Sequence, residues 1–143
     1  MSLSIQFKKL SPEAKSPSKA HPTDAGFDVF SNEYITIGPL SWAKVPLGIA
    51  VAIPPGYCLV AKDKSGLALK NGIHIMAGVI DTNYRGEVCA IVANGGNTEF
   101  KVEKGMKITQ MLVLPVPQVT FEEVENLDET DRGSGGFGSS GLF

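Results

Sequence analysis

The sequence predicts an all-β protein with one short helix, and three observations lead to that prediction. The apolar runs are brief and rich in valine and isoleucine. Glycine, proline or asparagine interrupts these runs about every 8–12 residues, which is the spacing of strands and turns. Helical periodicity is nearly absent, and strands do not alternate with helices. This pattern is typical of a β-sandwich, a jelly roll or a barrel and argues against a doubly wound nucleotide-binding fold.

The apolar runs are the predicted strands, and turn residues close most of them. Gly38-Pro39, Pro54-Pro55-Gly56 and Asn94-Gly95-Gly96-Asn97 are the clearest stops. The runs cover residues 34–37, 45–53, 57–61, 87–93 and 107–116. The best helical candidate is a single turn over residues 65–70, for which Ser65 is the predicted N-cap.

Composition and charge restrict the class of protein. The 143 residues suit one domain, with 43 % apolar residues, 20 % charged residues and a net charge of −2. That charge gives no broad attraction for nucleic acid or an anionic membrane, and no apolar run reaches the roughly 18 residues of a membrane helix. We expect Cys58 and Cys89 to be reduced, buried thiols. The expected location is the cytoplasm, or also the nucleus in a eukaryote.

The C-terminal end differs from the rest of the chain. Residues 131–141 hold five glycines and little apolar surface, so we expect them to be mobile when nothing is bound. The predicted organisation is therefore a β domain over residues 1–127 and a flexible tail over residues 128–143.

Four local groupings could carry chemistry, although each one alone is more often structural. Asp81 follows an apolar run at a turn, where a carboxylate can deprotonate water but usually binds the local backbone. Tyr84 could pack on a sugar or a base. The segment 62–66 (KDKSG) offers cations, a hydroxyl and a glycine amide to phosphate oxygens. In the tail, Arg132 supplies charge and Phe137 supplies an aromatic face.

Five segments, in order, resemble the five motifs of trimeric dUTPases (deoxyuridine 5′-triphosphate nucleotidohydrolases). They are residues 25–29 (AGFDV), 65–68 (SGLA), 78–86 (GVIDTNYRG), 105–110 (GMKITQ) and 132–138 (RGSGGFG). The resemblance spans nearly the whole chain. It implies a distorted jelly roll or β-barrel that forms a homotrimer with shared active sites. The implied reaction is dUTP + water → dUMP + pyrophosphate with Mg²⁺, which lowers dUTP and supplies dUMP for dTTP synthesis.

The resemblance also assigns roles within the segment 78–86 and near it. Asp81 matches the catalytic carboxylate that activates the attacking water. Tyr84 matches the ring that packs on deoxyribose and disfavours a 2′-hydroxyl. The backbone of residues 78–80, with Ile75 and Cys89 nearby, matches the part that reads the uracil edge.

The remaining motifs match contacts to the phosphates, the metal and the base. Arg132 and Phe137 match a phosphate clamp and a uracil-stacking ring. Asp28 matches an acid that reaches Mg²⁺ through water, and no direct protein ligand to the metal is expected. The full set of implied nucleotide-binding residues is Lys64, Ser65, Gly66, Ile75, Gly78, Val79, Ile80, Asp81, Tyr84, Cys89, Gln110, Arg132, Phe137 and Gly138.

Three departures and two alternatives accompany the resemblance. Lys107 stands where the family often has Arg, and Asn83 stands where it often has Asp. The family usually has Pro-Arg where this chain has Asp63-Lys64, so the planar guanidinium is lost and a negative charge is added near a polyanion. The first alternative is a dCTP deaminase, but its general-base glutamate would occupy the position of Ile91. The second is a dUTPase-fold binding or regulatory module, which Asp63-Lys64 alone favours.

Overall fold

The computed structural model describes residues 2–143, in which antiparallel strands surround an apolar core and one short helix lies on the outside. In chain order the elements are β1 (Gln6–Lys9), β2 (Phe27–Phe30), β3 (Ile35–Ile37), β4 (Ser41–Pro46), β5 (Ile49–Ala52), β6 (Tyr57–Lys62), α1 (Ser65–Asn71), β7 (Ile73–Met76), β8 (Val79–Ile80), β9 (Cys89–Asn94), β10 (Phe100–Val102) and β11 (Lys107–Pro115).

The strands pair into small antiparallel sheets. The largest sheet has the order β2-β11-β6-β8, the second has the order β4-β9-β7, and β1-β5 and β10-β3 form two-stranded ribbons. Because β8 ends the largest sheet, its outer edge has no strand partner among residues 2–143. The same short strand leads directly into the segment 81–86.

The core follows from the two-residue alternation of the strands. In β9 every second side chain is buried, ending with Val92 at 0 % exposure and Asn94 at 2 %. Ile108 on β11 is also fully buried. Asn94 is tolerated inside because its amide donates to the carbonyls of Ile37 and Thr98 at 3.0 and 2.8 Å.

The predicted all-β class with one short helix is confirmed, but two local predictions were wrong. The run 45–53 is not one strand, because Gly48 adopts a φ of +68° and separates β4 from β5. A side chain there would meet Asn32 and Ala14 within 2.9 Å. Ser65 is not the N-cap of α1; Lys64 holds that position without a side-chain cap. No helix within residues 2–143 is long and apolar enough to cross a membrane.

Candidate active site

A pocket of about 450 Å³ lies between the end of β8 and the start of β9. The segment 78–81 contributes to its lining, together with residues 87–89 at the start of β9. Its lining residues are Lys44, Pro46, Gly78, Val79, Ile80, Asp81, Tyr84, Glu87, Val88 and Cys89. Six of the residues that the sequence singled out therefore share one cavity.

The Asp81 carboxylate is exposed in this pocket and takes no part in holding its own turn. The turn closes through the backbone, where the Tyr84 N–H donates to the Asp81 carbonyl at 3.1 Å. The Thr82 hydroxyl donates to the Ile53 carbonyl at 2.7 Å, and Arg85 donates to the Thr82 carbonyl at 2.8 Å. No hydrogen bond reaches the Asp81 carboxylate from residues 2–143, which leaves both of its oxygens available to a ligand or water.

Tyr84 is fixed at the rim of the pocket by a local bond and a glycine. Its hydroxyl donates to the Glu87 carbonyl at 2.8 Å. A Cβ at Gly86 would lie 2.5 Å from that hydroxyl, so only glycine permits the ring to fold back along the chain. Tyr84 is 45 % exposed and lines the pocket.

Cys89 supplies a neutral wall beside β8. Burial raises the pKa of its thiol, and the nearby Glu87 carboxylate raises it further, so the thiol stays protonated near neutral pH. Ile80 packs into the core while Val79 is 66 % exposed, as strand alternation requires. Ile75 lies elsewhere, since it is buried in the core and absent from the lining of this pocket.

A second group of predicted residues gathers around Asp28 on β2. Lys64 donates to one carboxylate oxygen of Asp28, and Lys107 lies 3.0 Å from the other. Burial alone would raise the pKa of this carboxyl, but the hydrogen bonds and charges of Lys64 and Lys107 outweigh it and hold the pKa below its ordinary value. Asp28 is therefore ionised at neutral pH and partly neutralises both lysines.

Gln110 continues this second group on β11. Its Nε2 donates to the Asp63 carbonyl at 2.8 Å. A Cβ on Gly26 would lie 2.7 Å from its Oε1, so the glycine of the segment 25–29 makes room for the amide. Ser65 and Gly66 begin α1 and are exposed.

The third group lies in the tail, apart from the other two. Arg132 Nε donates to the Gly135 carbonyl at 2.8 Å, and successive turns link residues 130–141 to one another. Phe137 is fully exposed with a φ of +50°, and Gly138 has a φ of +98°. In the described part of the chain, all hydrogen bonds of residues 130–141 stay within that segment.

Sequence reasoning missed residues at or near two of these groups. Lys44 and Pro46 line the pocket but lie on β4, far in sequence from the rest of the lining. His74 contacts Asp63, and its exposed position between the buried Ile73 and Ile75 was the one available signal. Across residues 2–143, no cluster of three or more His, Cys, Asp or Glu side chains could hold a metal ion by itself.

Known proteins are similar to this chain in fold and in sequence along almost its whole length. The dUTPase family profile matches residues 12–141. The deoxyuridine 5′-triphosphate nucleotidohydrolase of Clostridium tetani is 45 % identical over 96 % of both chains. The protein of the same name from Gloeothece citriformis is 43 % identical over 98 % of both chains.

The similar solved structures are dUTPases as well. A mutant dUTPase of Staphylococcus bacteriophage 80alpha with dUpNHpp has a TM-score of 0.90 and 29 % identity, covering 97 % of this chain and 99 % of that chain. A dUTPase of the Staphylococcus aureus phage phi11, described as coordinating a structural Mg(II) ion, has a TM-score of 0.81 and 25 % identity, covering 88 % of this chain and 99 % of that one. The family profile spans well over half of the sequence, the relatives match end to end, and the chain therefore belongs to the dUTPase family of nucleotide hydrolases.

Proposed function

We propose that this chain hydrolyses dUTP to dUMP and pyrophosphate, with Asp81 activating the water that attacks the α-phosphorus. The observation that carries the proposal is the unused Asp81 carboxylate, which lines the pocket while other groups hold its turn. In an aspartate that only stabilised a turn, a carboxylate oxygen would accept a hydrogen bond from the local backbone. A free carboxylate can instead accept a proton from a water placed for attack.

The walls of the pocket suit a pyrimidine deoxynucleoside. The unpaired edge of β8 carries backbone donors and acceptors that can read the polar edge of uracil. Gly78 lets this wall lie close against β6, because a Cβ on Gly78 would lie 3.0 Å from Ala61. Tyr84 at the rim provides a flat face for the deoxyribose, where a 2′-hydroxyl would meet the ring.

The second group is the proposed site for the phosphates. Lys64, Ser65, Gly66 and Gln110 would contact phosphate oxygens, with Lys64 exchanging its bond to Asp28 for a bond to substrate. The Asp28 carboxylate would reach, through a water, Mg²⁺ that arrives on the triphosphate, because bound Mg²⁺ usually keeps several of its waters. When bound, Mg²⁺ supplies charge neutralisation at the triphosphate and helps to align in-line attack.

We propose a homotrimer because one chain keeps the three groups apart. The lining of the pocket between β8 and β9 includes neither the Asp28 group nor the tail. Beyond β11, Val119, Phe121 and Leu127 are strongly exposed, which is costly for a lone chain. An apolar groove of about 460 Å³ beside β1 could receive the apolar side chains beyond β11 of a neighbouring chain. Association would complete each active site with residues from more than one chain.

The tail is proposed to close over bound substrate. Arg132 would clamp phosphate, Phe137 would stack on uracil, and Gly138 would allow close backbone approach. Closure of a segment over the site excludes bulk water, and reopening releases product.

A cytoplasmic location remains a prediction from the sequence.

The two alternatives predict different chemistry. A dCTP deaminase would need an acid where β9 carries Ile91, which pairs with Lys44 and has no proton to transfer. A binding module would bind dUTP with Mg²⁺ but release no pyrophosphate. Measuring pyrophosphate release from dUTP, and ammonia release from dCTP, distinguishes the hydrolase from the deaminase and from a binding module that releases neither.

The direct test of the mechanism is the substitution Asp81→Asn. We expect turnover of dUTP to fall about 10²–10⁴-fold, because the amide cannot accept the proton of the attacking water. Binding of the non-hydrolysable analogue dUpNHpp should persist. Glu99→Gln, which alters an exposed carboxylate on the surface, is the control and should leave turnover unchanged. Wild-type turnover by Asp81→Asn would refute this role for Asp81.

A further inference from the structure

Two residues, Asp63 and Lys64, connect the end of β6 to the start of α1. These are the positions where the family usually has Pro-Arg. Proline would fix its own φ and restrict the residue before it, which stiffens a short connection without any side-chain contact. Aspartate has no such intrinsic restraint, so any rigidity here has to come from contacts.

The Asp63 side chain makes two contacts, and both are to β7. Oδ1 accepts the Ile75 N–H at 2.7 Å, and Oδ2 lies 2.9 Å from His74 Nδ1. Ile75 is 5 % exposed and belongs to the core, so its amide is a rigid attachment point. The connection is therefore tied through Asp63 to a fixed strand.

The charge state of Asp63 identifies the donor in the second contact. Burial tends to raise the pKa of this carboxyl, but the hydrogen bonds from His74 and the Ile75 amide, with a smaller effect of Lys62, hold the pKa below its ordinary value. A carboxylate has no proton to give, so His74 Nδ1 is the donor. The negative charge is thus directed at β7 and satisfied there.

β11 holds the backbone at the end of β6 and in the connection. Gln110 Nε2 donates to the Asp63 carbonyl at 2.8 Å, and the Thr109 hydroxyl donates to the Lys62 carbonyl at 2.9 Å. Lys64 meanwhile directs its ammonium group towards Asp28 on β2. The side chains of neighbouring residues 63 and 64 thus bind different strands, and the acid does not neutralise the lysine beside it.

We propose that Asp63 is a positioning residue for the triphosphate: anchored by His74 and the Ile75 amide, it holds the β6–α1 connection so that Lys64 and Ser65 present their side chains to the phosphates. This inference rests on the proposed function. In this chain the side-chain anchor of Asp63 takes the place of proline as the source of rigidity. It also explains how a family member carries an acid next to its phosphate-binding lysine.

The test compares two ligands that differ only in their phosphates. For Asp63→Ala, calorimetry with Mg²⁺ should show about tenfold weaker binding of dUpNHpp, as expected for the loss of hydrogen bonds to a charged group. Binding of deoxyuridine, which lacks phosphates, should stay within about twofold of wild type. Asp63→Asn keeps an acceptor for the Ile75 amide and should restore most of the dUpNHpp affinity.

The partner residue provides a second, independent measurement. His74→Ala should weaken dUpNHpp binding in the same direction as Asp63→Ala but less, since the Ile75 amide still holds the carboxylate. The double variant should bind about as weakly as Asp63→Ala alone, because both changes break one link. Glu99→Ala removes an exposed carboxylate that pairs with Lys101 and is the matched control for charge.

Three results would overturn the proposal. Wild-type affinity of Asp63→Ala for dUpNHpp would show that the anchor is unnecessary. An equal loss for deoxyuridine would indicate a general structural defect. An Asp63→Asn variant as weak as Asp63→Ala would exclude anchoring by hydrogen bonds. If wild type itself failed to bind dUpNHpp, both this inference and the proposed function would fail, which is a different outcome from the other three.

Discussion

Asp28 shows how a buried carboxylate at the proposed phosphate site is kept charged. The residue is 6 % exposed, so losing both lysine partners would leave an uncompensated charge in a poorly hydrated position. With Lys64 and Lys107 in place, the carboxylate remains ionised and both lysines are held close together. The pair of cations is then poised for a polyanion, while the acid limits their mutual repulsion.

The lowered pKa of Asp28 predicts a defined acid sensitivity. A carboxyl whose folded pKa lies below its ordinary value of 3.8 stabilises the fold above that pH, and the stabilisation disappears as pH falls through the folded value. The Tm of wild type should therefore exceed that of Asp28→Asn by a constant amount between about pH 7 and 5, and the gap should shrink below about pH 4.

Thermal melts across this pH range provide the measurement. Asp63 also has a lowered pKa, but it is present in both proteins, so the difference isolates Asp28. Asp28→Asn should also retain folded structure at neutral pH. A gap that stays constant down to pH values well below 3.8 would contradict the assigned ion pairs.

The turn between β7 and β8 shapes the proposed nucleotide pocket at the level of an element. Ala77 has a φ of +54° and Gly78 a φ of +104°, so two consecutive residues adopt left-handed conformations. The Gly78 carbonyl accepts the Ala61 N–H at 2.7 Å, which brings the turn against β6. The pocket wall is therefore held by a backbone contact that allows little room for a side chain.

Gly78→Ala should damage both the turn and the site. The new Cβ would lie 3.0 Å from the Ala61 Cβ at an unfavourable φ, and strain of this kind costs about 1–3 kcal/mol. We expect a lower Tm and a higher KM for dUTP, because Val79 and Ile80 would shift with the turn. Gly56→Ala is a useful control, since Gly56 also has a positive φ but meets no atom within 4 Å. If Gly78→Ala matched that control in KM, close packing at the turn would not shape the pocket.

The elements that sequence predicted well are those with a local signal. The run 107–116 contains all of β11 and exceeds it by one residue, because apolar residues extend through most of it and prolines end it. β1 has no such signal, since all four of its residues are exposed and it exists by pairing with β5. The break at Gly48 was missed because the need for glycine comes from Asn32 and Ala14, which are distant in sequence.

The candidate site divides in the same way. Residues 78–81 and Tyr84 were predictable as neighbours in one pocket because they lie in one short segment that matches a family motif. The Asp63–His74 contact was not, because the two residues are brought together only when β7 lies beside the β6–α1 connection. The orientation of the Asp63 charge, uncertain from sequence, depends on an Ile75 amide whose position only the fold determines.

At the scale of the whole molecule, one chain leaves much apolar surface open after β11. Val119, Phe121 and Leu127 are 71 %, 102 % and 85 % exposed. These residues lie before the proposed tail, so an assembly that covers them would carry residues 128–143 towards a neighbouring chain. Folding and assembly should then depend on residues 116–127, and catalysis on the glycine-rich tail.

Deleting the residues after Asp131 tests that division of roles. We expect the truncated protein to keep the fold and oligomeric state of wild type, since residues 130–141 bond only to one another in the described chain. The kcat/KM for dUTP should fall about 10²-fold or more, through loss of the Arg132 and Phe137 contacts and of closure over the site. Analytical ultracentrifugation and steady-state kinetics measure the two properties separately.

Deleting only Leu142 and Phe143 is the matched control, because it shortens the chain but leaves residues 132–138 in place. Full activity after the longer deletion would show that the tail is only an exposed extension. Loss of the oligomer together with activity would mean that the segment contributes to assembly. Only an intact assembly with impaired turnover fits a tail that closes over substrate.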